Sequence, residues 1–359
     1  MDGFFFLIHR RLKISVKIDN RRFSPRHKTV IVAYSFRMKH KFFTARNVTV
    51  AFIILLLIIF VAQTDVYLQS VKNGLNLYVT AVLPSMLPFF FFSKLLTELN
   101  FASDAGKLLS KPLAKLYSAP PVGGYVLIMS MLCGYPVGAK LVGELYDGGI
   151  INENDGRKIA AFTSTSGPLF IVGTVGVSMF GNKTYGFVLL ASHYIGALLN
   201  GLIYRGRSSS QSQSPIPAAL NAEDVLNKSM LNTFLSVGIV GGYITIFNLL
   251  LDVCSETGLI PLVSRIMENL GVNGRITSGV AGGLIEMTKG CLMLSCSGFP
   301  IRITLPLCAF LIAFGGLSVT FQSLTFLSKI KISPAFYLLT KFTQGILSSL
   351  ICFLLCLAF

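Results

Sequence analysis

The chain has 359 residues, of which 53% are hydrophobic and only 13% are charged, and its mean hydropathy is +0.68. Soluble domains carry about 25% charged residues, so this composition excludes an ordinary soluble globular protein. The formal net charge is +16, which an apolar membrane interior does not tolerate and which we expect to lie mainly outside it. The sequence therefore predicts an all-α, polytopic helical membrane protein.

Residues 1–47 form a basic tail with a net charge of +10. The positive-inside rule places such a tail, and with it the N-terminus, in the cytoplasm. Anionic lipid is a simpler partner for the tail than nucleic acid, for which the chain carries no reader motif, so no nucleic-acid binding is expected. Met38 resembles a translation start of its own. Residues 1–37 are therefore either a genuine tail or an over-extension of the gene beyond its true start.

Nine apolar segments follow the tail. The first, Val48–Ala62, holds no charge, and no A-x-A-type cleavage site follows it directly, so it is predicted to be a retained span. About eight or nine segments are expected to be helical, some of them broken or re-entrant, and the first and last are expected to be plain lipid-facing helices. The remaining eight are Leu75–Phe92, Gly123–Val137, Ile159–Phe180, Tyr185–Tyr204, Met230–Val253, Ile276–Cys296, Ile303–Leu327 and Ala335–Phe359.

A polar stretch rich in Ser, Gln and Pro, residues 205–228, reads as a flexible linker. It divides the membrane part into a first half, 48–204, and a second half, 229–359. The basic residues of the linker favour the cytoplasmic side, whereas five full spans counted from a cytoplasmic N-terminus would place it outside.

That conflict disappears if the short segment Gly123–Val137 enters and leaves on the same face of the membrane. The candidate helix-breaking residues at its end are Gly134, Pro136 and Gly138. Non-helical backbone at membrane depth is tolerated only against protein or a water-filled cavity, so the transport pathway is expected in this region.

The two halves carry similar broken segments. The first contains MLCGYPVGAK (131–140) and TSTSGPLFIVGTVG (163–176), and the second contains GLIEMTKGCL (283–292) and AFGGLSVTFQ (313–322). An amphipathic stretch precedes each pair, at 105–117 and at 261–270. Identity between the halves is faint, so chance is an alternative explanation. Corresponding Gly/Pro-broken segments are nevertheless the best sequence pointer to the binding site of a transporter.

These segments, together with VLPSMLPFFFFSKLL (82–96), resemble the YlbJ-type sporulation integral membrane proteins, which carry nucleoside-recognition Gate domains. The resemblance covers roughly residues 48–359. It implies two Gate-like halves, a place in the outer forespore membrane derived from the mother cell, and export of dipicolinic acid from the mother cell during sporulation. The usual family pattern has Asn near the position of Thr165. A nucleoside-like solute is an alternative cargo, and a non-transporting scaffold in a sporulation complex is an alternative role. A homo-oligomer and other sporulation membrane proteins are candidate partners.

A small organic anion needs positive charge or unpaired N–H groups at its carboxylates. The segment Thr163–Pro168 offers them if Ser164, Thr165 and Ser166 cap a half-helix, Gly167 lets the backbone approach, and Pro168 opens the first turn. The alternative is small-residue packing between helices.

Glu286 and Lys289 are predicted to share one helix face, because they are three residues apart in an apolar segment. Charges at membrane depth are costly and point to function. Lys289 would then meet a solute carboxylate, while Glu286 tunes it or carries a coupling proton. A mutually neutralising structural pair is the alternative.

Further candidates are weaker. The pathway is predicted to include Gly315, Gly316 and Gln322, and His193 is a candidate proton carrier. Packing between helices is an alternative role for Gln322 and His193. Lys341 with Gln344 carries little weight in this interpretation.

No enzyme, cofactor or metal is expected. The sequence contains no GxSxG, HExxH or P-loop motif. Its seven Cys residues have no CxxC spacing and lie mostly in apolar segments, where they read as small buried hydrophobes.

Overall fold

The computed structural model describes residues 45–99, 101–206 and 222–358. The predicted tail, except for its last three residues, and most of the predicted linker lie outside these ranges. The chain divides into two compact units with the boundary after Thr64. The described part of the first unit is essentially one apolar helix, and the core, the cavity and the contacts described below lie in the second unit.

The described residues are mainly helical, and no strand occurs among them. In the first half the helices are α1 (Ala45–Ala62), α2 (Thr64–Leu77), α3 (Leu83–Glu98), α4 (Phe101–Tyr117), α5 (Val122–Cys133), α6 (Val137–Asp147), α7 (Glu153–Phe162), α8 (Leu169–Met179) and α9 (Lys183–Ile203). A π-helical stretch, Tyr78–Val82, joins α2 to α3, and α8 is itself wound as a π-helix.

The second half repeats this order. Its helices are α10 (Ala222–Glu256), α11 (Leu259–Asn269), α12 (Gly274–Ile285), α13 (Met287–Ser295), α14 (Ile301–Phe314), α15 (Gly316–Leu327) and α16 (Pro334–Cys356), with a short 3-10 turn at Ser328–Ile330. Residues 222–228 belong to helix α10, so the prediction of a flexible linker is wrong for these residues.

By length and composition, four helical segments of the described chain can cross a membrane, or up to six if two pairs of shorter helices are each counted as one span. The prediction of a polytopic helical membrane protein is confirmed. The smaller count arises because several predicted apolar segments consist of two half-helices, each too short to cross a bilayer core about 30 Å thick.

Four breaks interrupt the apolar segments. The first lies at Gly134–Pro136 between α5 and α6, and the second at Thr163–Gly167 between α7 and α8. The third is the extended residue Glu286 between α12 and α13, and the fourth is Gly315 between α14 and α15. Gly134 and Gly315 have φ near +80°, a conformation that glycine adopts without the steric penalty of a Cβ atom.

The predicted repeat is visible in this order of elements. In each half a long helical segment is followed by an amphipathic helix, two broken pairs and a final long helix. The final helices α9 and α16 begin 151 residues apart, each after a side-chain N-cap, Asn182 and Ser333. The predicted amphipathic stretches fall within α4 and α11.

The third break turns the chain back on itself. A Cβ atom at Gly290 would collide with the Cα atom of Gly283, and one at Gly279 would meet the Leu294 side chain at 2.8 Å. These pairings run antiparallel, so α12 and α13 form a helical hairpin whose tip is Glu286. Gly138 likewise lies close to Ser130 across the first break. Gly138 is a residue of α6 that permits close packing, and its predicted place in the break is wrong.

The apolar core consists of two clusters that do not follow the division into halves. One is built mainly from α5, α6 and α7 and includes Tyr337 of α16. The other combines residues of α8 and α9 with residues of α13 and α14. The last segment is predicted to be a plain lipid-facing helix. That prediction is wrong, since the inner side of α16 buries polar groups described below.

Candidate solute site

Three of the four breaks, together with the first two turns of the helix that follows the fourth, line one cavity. Its volume is about 50 Å³, enough for a few water molecules. The wall is mostly apolar, and α3 and α10 complete it with Met86, Phe89 and Val240. The residues contributed by the breaks and the turns beside them are Gly134, Tyr135, Ser166, Gly167, Leu169, Phe170, Glu286, Met287, Thr288, Ser318, Val319 and Gln322.

This cavity brings together five of the residues predicted for the site or its breaks: Gly134, Ser166, Gly167, Glu286 and Gln322. The other predicted residues are not in its wall. Those are Pro136, Gly138, Ser164, Thr165, His193, Lys289, Gly315 and Gly316. Most of them act one layer behind the wall, as the following contacts show.

The first break holds a buried tyrosine at the centre of the unit. The Tyr135 hydroxyl lies 3.2 Å from the Ile312 carbonyl oxygen and 3.1 Å from that of Ala313, near the end of α14. Pro136, which follows it, is the N-cap residue of α6. The first break of one half is thus anchored on the helix that precedes the fourth break, in the other half.

The second break uses its hydroxyl groups for internal contacts. The Ser164 hydroxyl pairs with the Tyr337 hydroxyl at 2.7 Å, and the Thr165 hydroxyl pairs with the Ser130 hydroxyl at 2.8 Å. No side chain caps α8, whose N-cap residue is Pro168. The predicted capping by these hydroxyls is wrong, because residues distant in sequence compete successfully for them.

Glu286 forms the tip of the α12/α13 hairpin. Its backbone is extended, and its carboxylate accepts a hydrogen bond from the Lys289 backbone N–H at 2.8 Å, which makes it the N-cap of α13. The side chain is 1% exposed. An anionic cap is favoured there, because a helix N-terminus carries unpaired N–H groups and the positive end of the dipole.

Lys289 points elsewhere. Its ammonium group forms an ion pair with Asp252 of α10, which also accepts a hydrogen bond from the Ser70 hydroxyl. The prediction that Glu286 and Lys289 share one helix face is wrong, since Glu286 is not inside a helix. The alternative of a mutually neutralising pair is wrong as well, because Lys289 pairs with Asp252. No spacing rule indicates a partner 37 residues earlier in the chain.

Gln322 lies two turns into α15. It is 1% exposed, its Nε2 donates to the Ser318 hydroxyl at 3.3 Å, and its Oε1 has no hydrogen-bond partner among the described atoms. A buried carbonyl oxygen without a donor costs about 1–3 kcal/mol. A ligand in the cavity is a natural source of the missing interaction.

A buried lysine, Lys341 of α16, is the main feature that sequence reasoning undervalued. It is 1% exposed. Its Nζ donates to the Tyr135 hydroxyl at 2.7 Å, to the Ser164 carbonyl oxygen at 2.9 Å and to Gln344 Oε1 at 2.9 Å. No carboxylate lies within ion-pair distance of it in the described chain. The available signal was a single lysine within the apolar run of the last segment.

Lys341 therefore links the first and second breaks to the final helix through hydrogen bonds. Gln344 adds to this junction, because its Nε2 donates to the same Ser164 carbonyl at 3.1 Å. Three acceptors satisfy the three N–H groups of the ammonium. The positive charge remains uncompensated by a carboxylate, and it lies directly behind Tyr135, a residue of the cavity wall.

His193 of α9 is fully buried, and its Nε2 accepts a hydrogen bond from the Ser166 backbone N–H at 2.8 Å. Because Nε2 is an acceptor, the neutral ring carries its proton on Nδ1, which has no partner among the described atoms. This geometry makes His193 a support for the second break. Its predicted role in carrying a proton stays a prediction.

Comparison with known proteins identifies a relative of this chain. No protein-family model matches the chain. The sporulation integral membrane protein YlbJ of Bacillus subtilis (strain 168) is 28% identical over 313 residues, which cover 80% of this chain and 77% of that protein. The similarity supports membership of the YlbJ-type family. The expectation drawn from the sequence segments is thereby confirmed for the family. The Gate-domain description stays a prediction.

Proposed function

We propose that this protein transports a small organic anion across a membrane during sporulation, and that dipicolinic acid leaving the mother cell across the outer forespore membrane is the cargo. The convergence of four broken helices on one cavity carries the proposal. Transporters place solute sites at such breaks, because unwound backbone and half-helix ends supply polar groups where the bilayer supplies none.

The site has two sources of positive potential. One is the set of half-helix N-termini, since α6, α8 and α15 each begin at a break and carry unpaired N–H groups there; the start of α13 is already capped by Glu286. The other is the Lys341 ammonium, which is held behind Tyr135 by hydrogen bonds and has no carboxylate partner in the described ranges. The aromatic rings of Phe89 and Phe170 in the wall suit the flat face of a ring-containing solute, and the cavity of about 50 Å³ must widen to admit one.

The sporulation setting rests on the similarity to YlbJ, whose name describes a sporulation integral membrane protein. The direct test is deletion of the gene in its own host, followed by measurement of dipicolinate in mother cells and spores. We expect mother cells to accumulate dipicolinate and spores to be depleted of it. Normal dipicolinate content in the spores would contradict the cargo assignment.

One observation favours a second candidate, an uncharged nucleoside-like solute. The lining residues include no Lys, Arg or His, and they include the Glu286 carboxylate. An uncharged ring with hydroxyl groups needs no counter-charge. Competition distinguishes the two: an excess of a nucleoside mixture abolishes dipicolinate flux if nucleosides are the native cargo, and leaves the flux unchanged if the anion is.

A non-transporting scaffold in a sporulation complex is the remaining alternative. It predicts that sporulation survives the loss of the buried polar network, provided that the protein is made. The Gln344→Leu variant removes two hydrogen bonds at the junction, and Gln69→Leu on exposed α2 is a matched control. Wild-type sporulation with normal amounts of the Gln344→Leu protein would favour the scaffold.

A further inference from the structure

The polar groups in the cavity wall are dominated by oxygen acceptors. The Glu286 carboxylate is buried, and the Gln322 amide presents an Oε1 atom that has no donor among the described atoms. Ser166, Thr288 and Ser318 contribute hydroxyl groups, and no cationic side chain lines the cavity. Buried charge and buried acceptors both cost free energy unless they are compensated.

The two lysines near this wall are committed to other partners. The Lys289 ammonium pairs with Asp252, and the Lys341 ammonium donates to Tyr135, Ser164 and Gln344. Glu286 forms no ion pair with a side chain in the described parts of the chain. Hydrogen bonds from the start of α13 hold the carboxylate, and no ion pair within the described chain neutralises it at the cavity wall.

Backbone oxygens gather at the end of α12, which directly precedes Glu286 in the chain. A Cβ atom placed on Gly316 would lie 2.8 Å from the Gly283 carbonyl oxygen, 3.3 Å from that of Leu284 and 3.2 Å from that of Ile285. The C-terminal end of α12 therefore presents three carbonyls around the first residue of α15. In transporters, unwound carbonyls and half-helix C-terminal ends are the groups that coordinate monovalent cations.

We propose that a monovalent cation binds in this cavity, with Glu286 and the Oε1 atom of Gln322 as its side-chain ligands. Carboxylate, amide and carbonyl oxygens are the ligands of hard cations. A single carboxylate matches a single positive charge. No group of three or more His, Cys, Asp and Glu residues suited to a metal ion occurs in the described chain, so the donor set does not suit a transition metal. A coupling role for this cation rests on the proposed transport function. Binding of the cation to the cavity does not.

Thermal unfolding of the purified full chain in detergent tests the site without any cargo. Sodium chloride is titrated against choline chloride at constant ionic strength, with potassium chloride as a second series. A ligand that binds only the folded state raises the melting temperature in a saturable manner. We expect a saturable rise of a few degrees with an alkali cation and none with choline. A flat response with sodium and with potassium would overturn the proposal.

Three variants make the assignment specific. Glu286→Gln removes the charge and should abolish the rise, and Gln322→Leu removes the orphan oxygen and should weaken the apparent affinity about tenfold. Glu153→Gln is the matched control, because Glu153 lies on partly exposed α7 in an ion pair with Arg157. An unchanged cation response in both Glu286→Gln and Gln322→Leu would overturn the site, even if one of them folds poorly.

Two further outcomes separate this inference from its neighbours. A melting temperature that responds to pH and not to sodium or potassium would replace the cation by a proton at Glu286 and overturn the proposal. A saturable cation response without dipicolinate flux would support the cation site while contradicting the cargo. Dipicolinate flux without a cation response would support the cargo and overturn the cation site.

Discussion

Lys341 contributes most to the site at the scale of single residues. Its ammonium connects a break residue, Tyr135, with the backbone of the second break at Ser164. The two contacts join positions separated by 206 and 177 residues in sequence. Burying a charge among three neutral acceptors costs desolvation free energy. A charged residue kept in a membrane interior at such a cost indicates function.

Replacing Lys341 by Met is therefore expected to reduce dipicolinate flux at least tenfold. The acceptors at Ser164 and Gln344 lose the lysine as a donor, and the charge behind Tyr135 disappears. The Ser164 carbonyl keeps Gln344 Nε2 as a donor, whereas the acceptor Gln344 Oε1 is left without this donor at a cost of about 1–3 kcal/mol, so the melting temperature of the variant is measured beside its flux. Initial flux in proteoliposomes at matched protein content measures the reduction.

The control for that change is Lys329→Met. Lys329 is an exposed lysine paired with Asp147 after α15. A loss of flux equal to that of Lys341→Met would attribute the effect to net charge and contradict the special role of Lys341.

Helix breaks are the features that sequence and structure share at the scale of elements. Gly134 and Pro136, the Thr163–Gly167 stretch and Gly315 could be predicted, because glycine and proline interrupt apolar runs by local backbone chemistry. The pairing partners could not be predicted. Asp252 forms an ion pair with Lys289, and the Tyr337 hydroxyl forms a hydrogen bond with the Ser164 hydroxyl. Such partners are decided by packing between segments far apart in the chain.

The α12/α13 hairpin depends on close backbone contact. Gly290→Ala would place a methyl group against the Cα atom of Gly283, so the two helices must separate. Overpacking of this kind costs about 1–3 kcal/mol, and we expect a lower melting temperature in detergent together with reduced flux.

Gly242→Ala on α10 is the matched control, because nothing lies within 4 Å of its added methyl group. Alanine is the better helix former by up to about 1 kcal/mol, so this variant should be unchanged or slightly more stable. An unchanged Gly290→Ala protein would show that the hairpin packing is looser than the contact with Gly283 implies.

The repeated order of elements has a consequence for topology at the scale of the whole molecule. If the α12/α13 hairpin enters and leaves on one face, then α10, the α14/α15 pair and α16 make three crossings. The linker before α10 and the C-terminus after α16 then lie on opposite sides of the membrane. We predict that epitope tags in the linker and after the C-terminus are reached from opposite faces in sealed vesicles, and detection of both tags from one face would contradict this topology.

We propose that this chain carries a small organic anion through the cavity lined by its first three breaks and by α15. Radiolabelled dipicolinate flux into proteoliposomes of the purified full chain tests it most directly, with protein-free liposomes and the Lys341→Met protein alongside. We expect saturable uptake that requires the chain and falls at least tenfold in the variant. Uptake equal to that of protein-free liposomes, in the presence and in the absence of alkali cations, would contradict it.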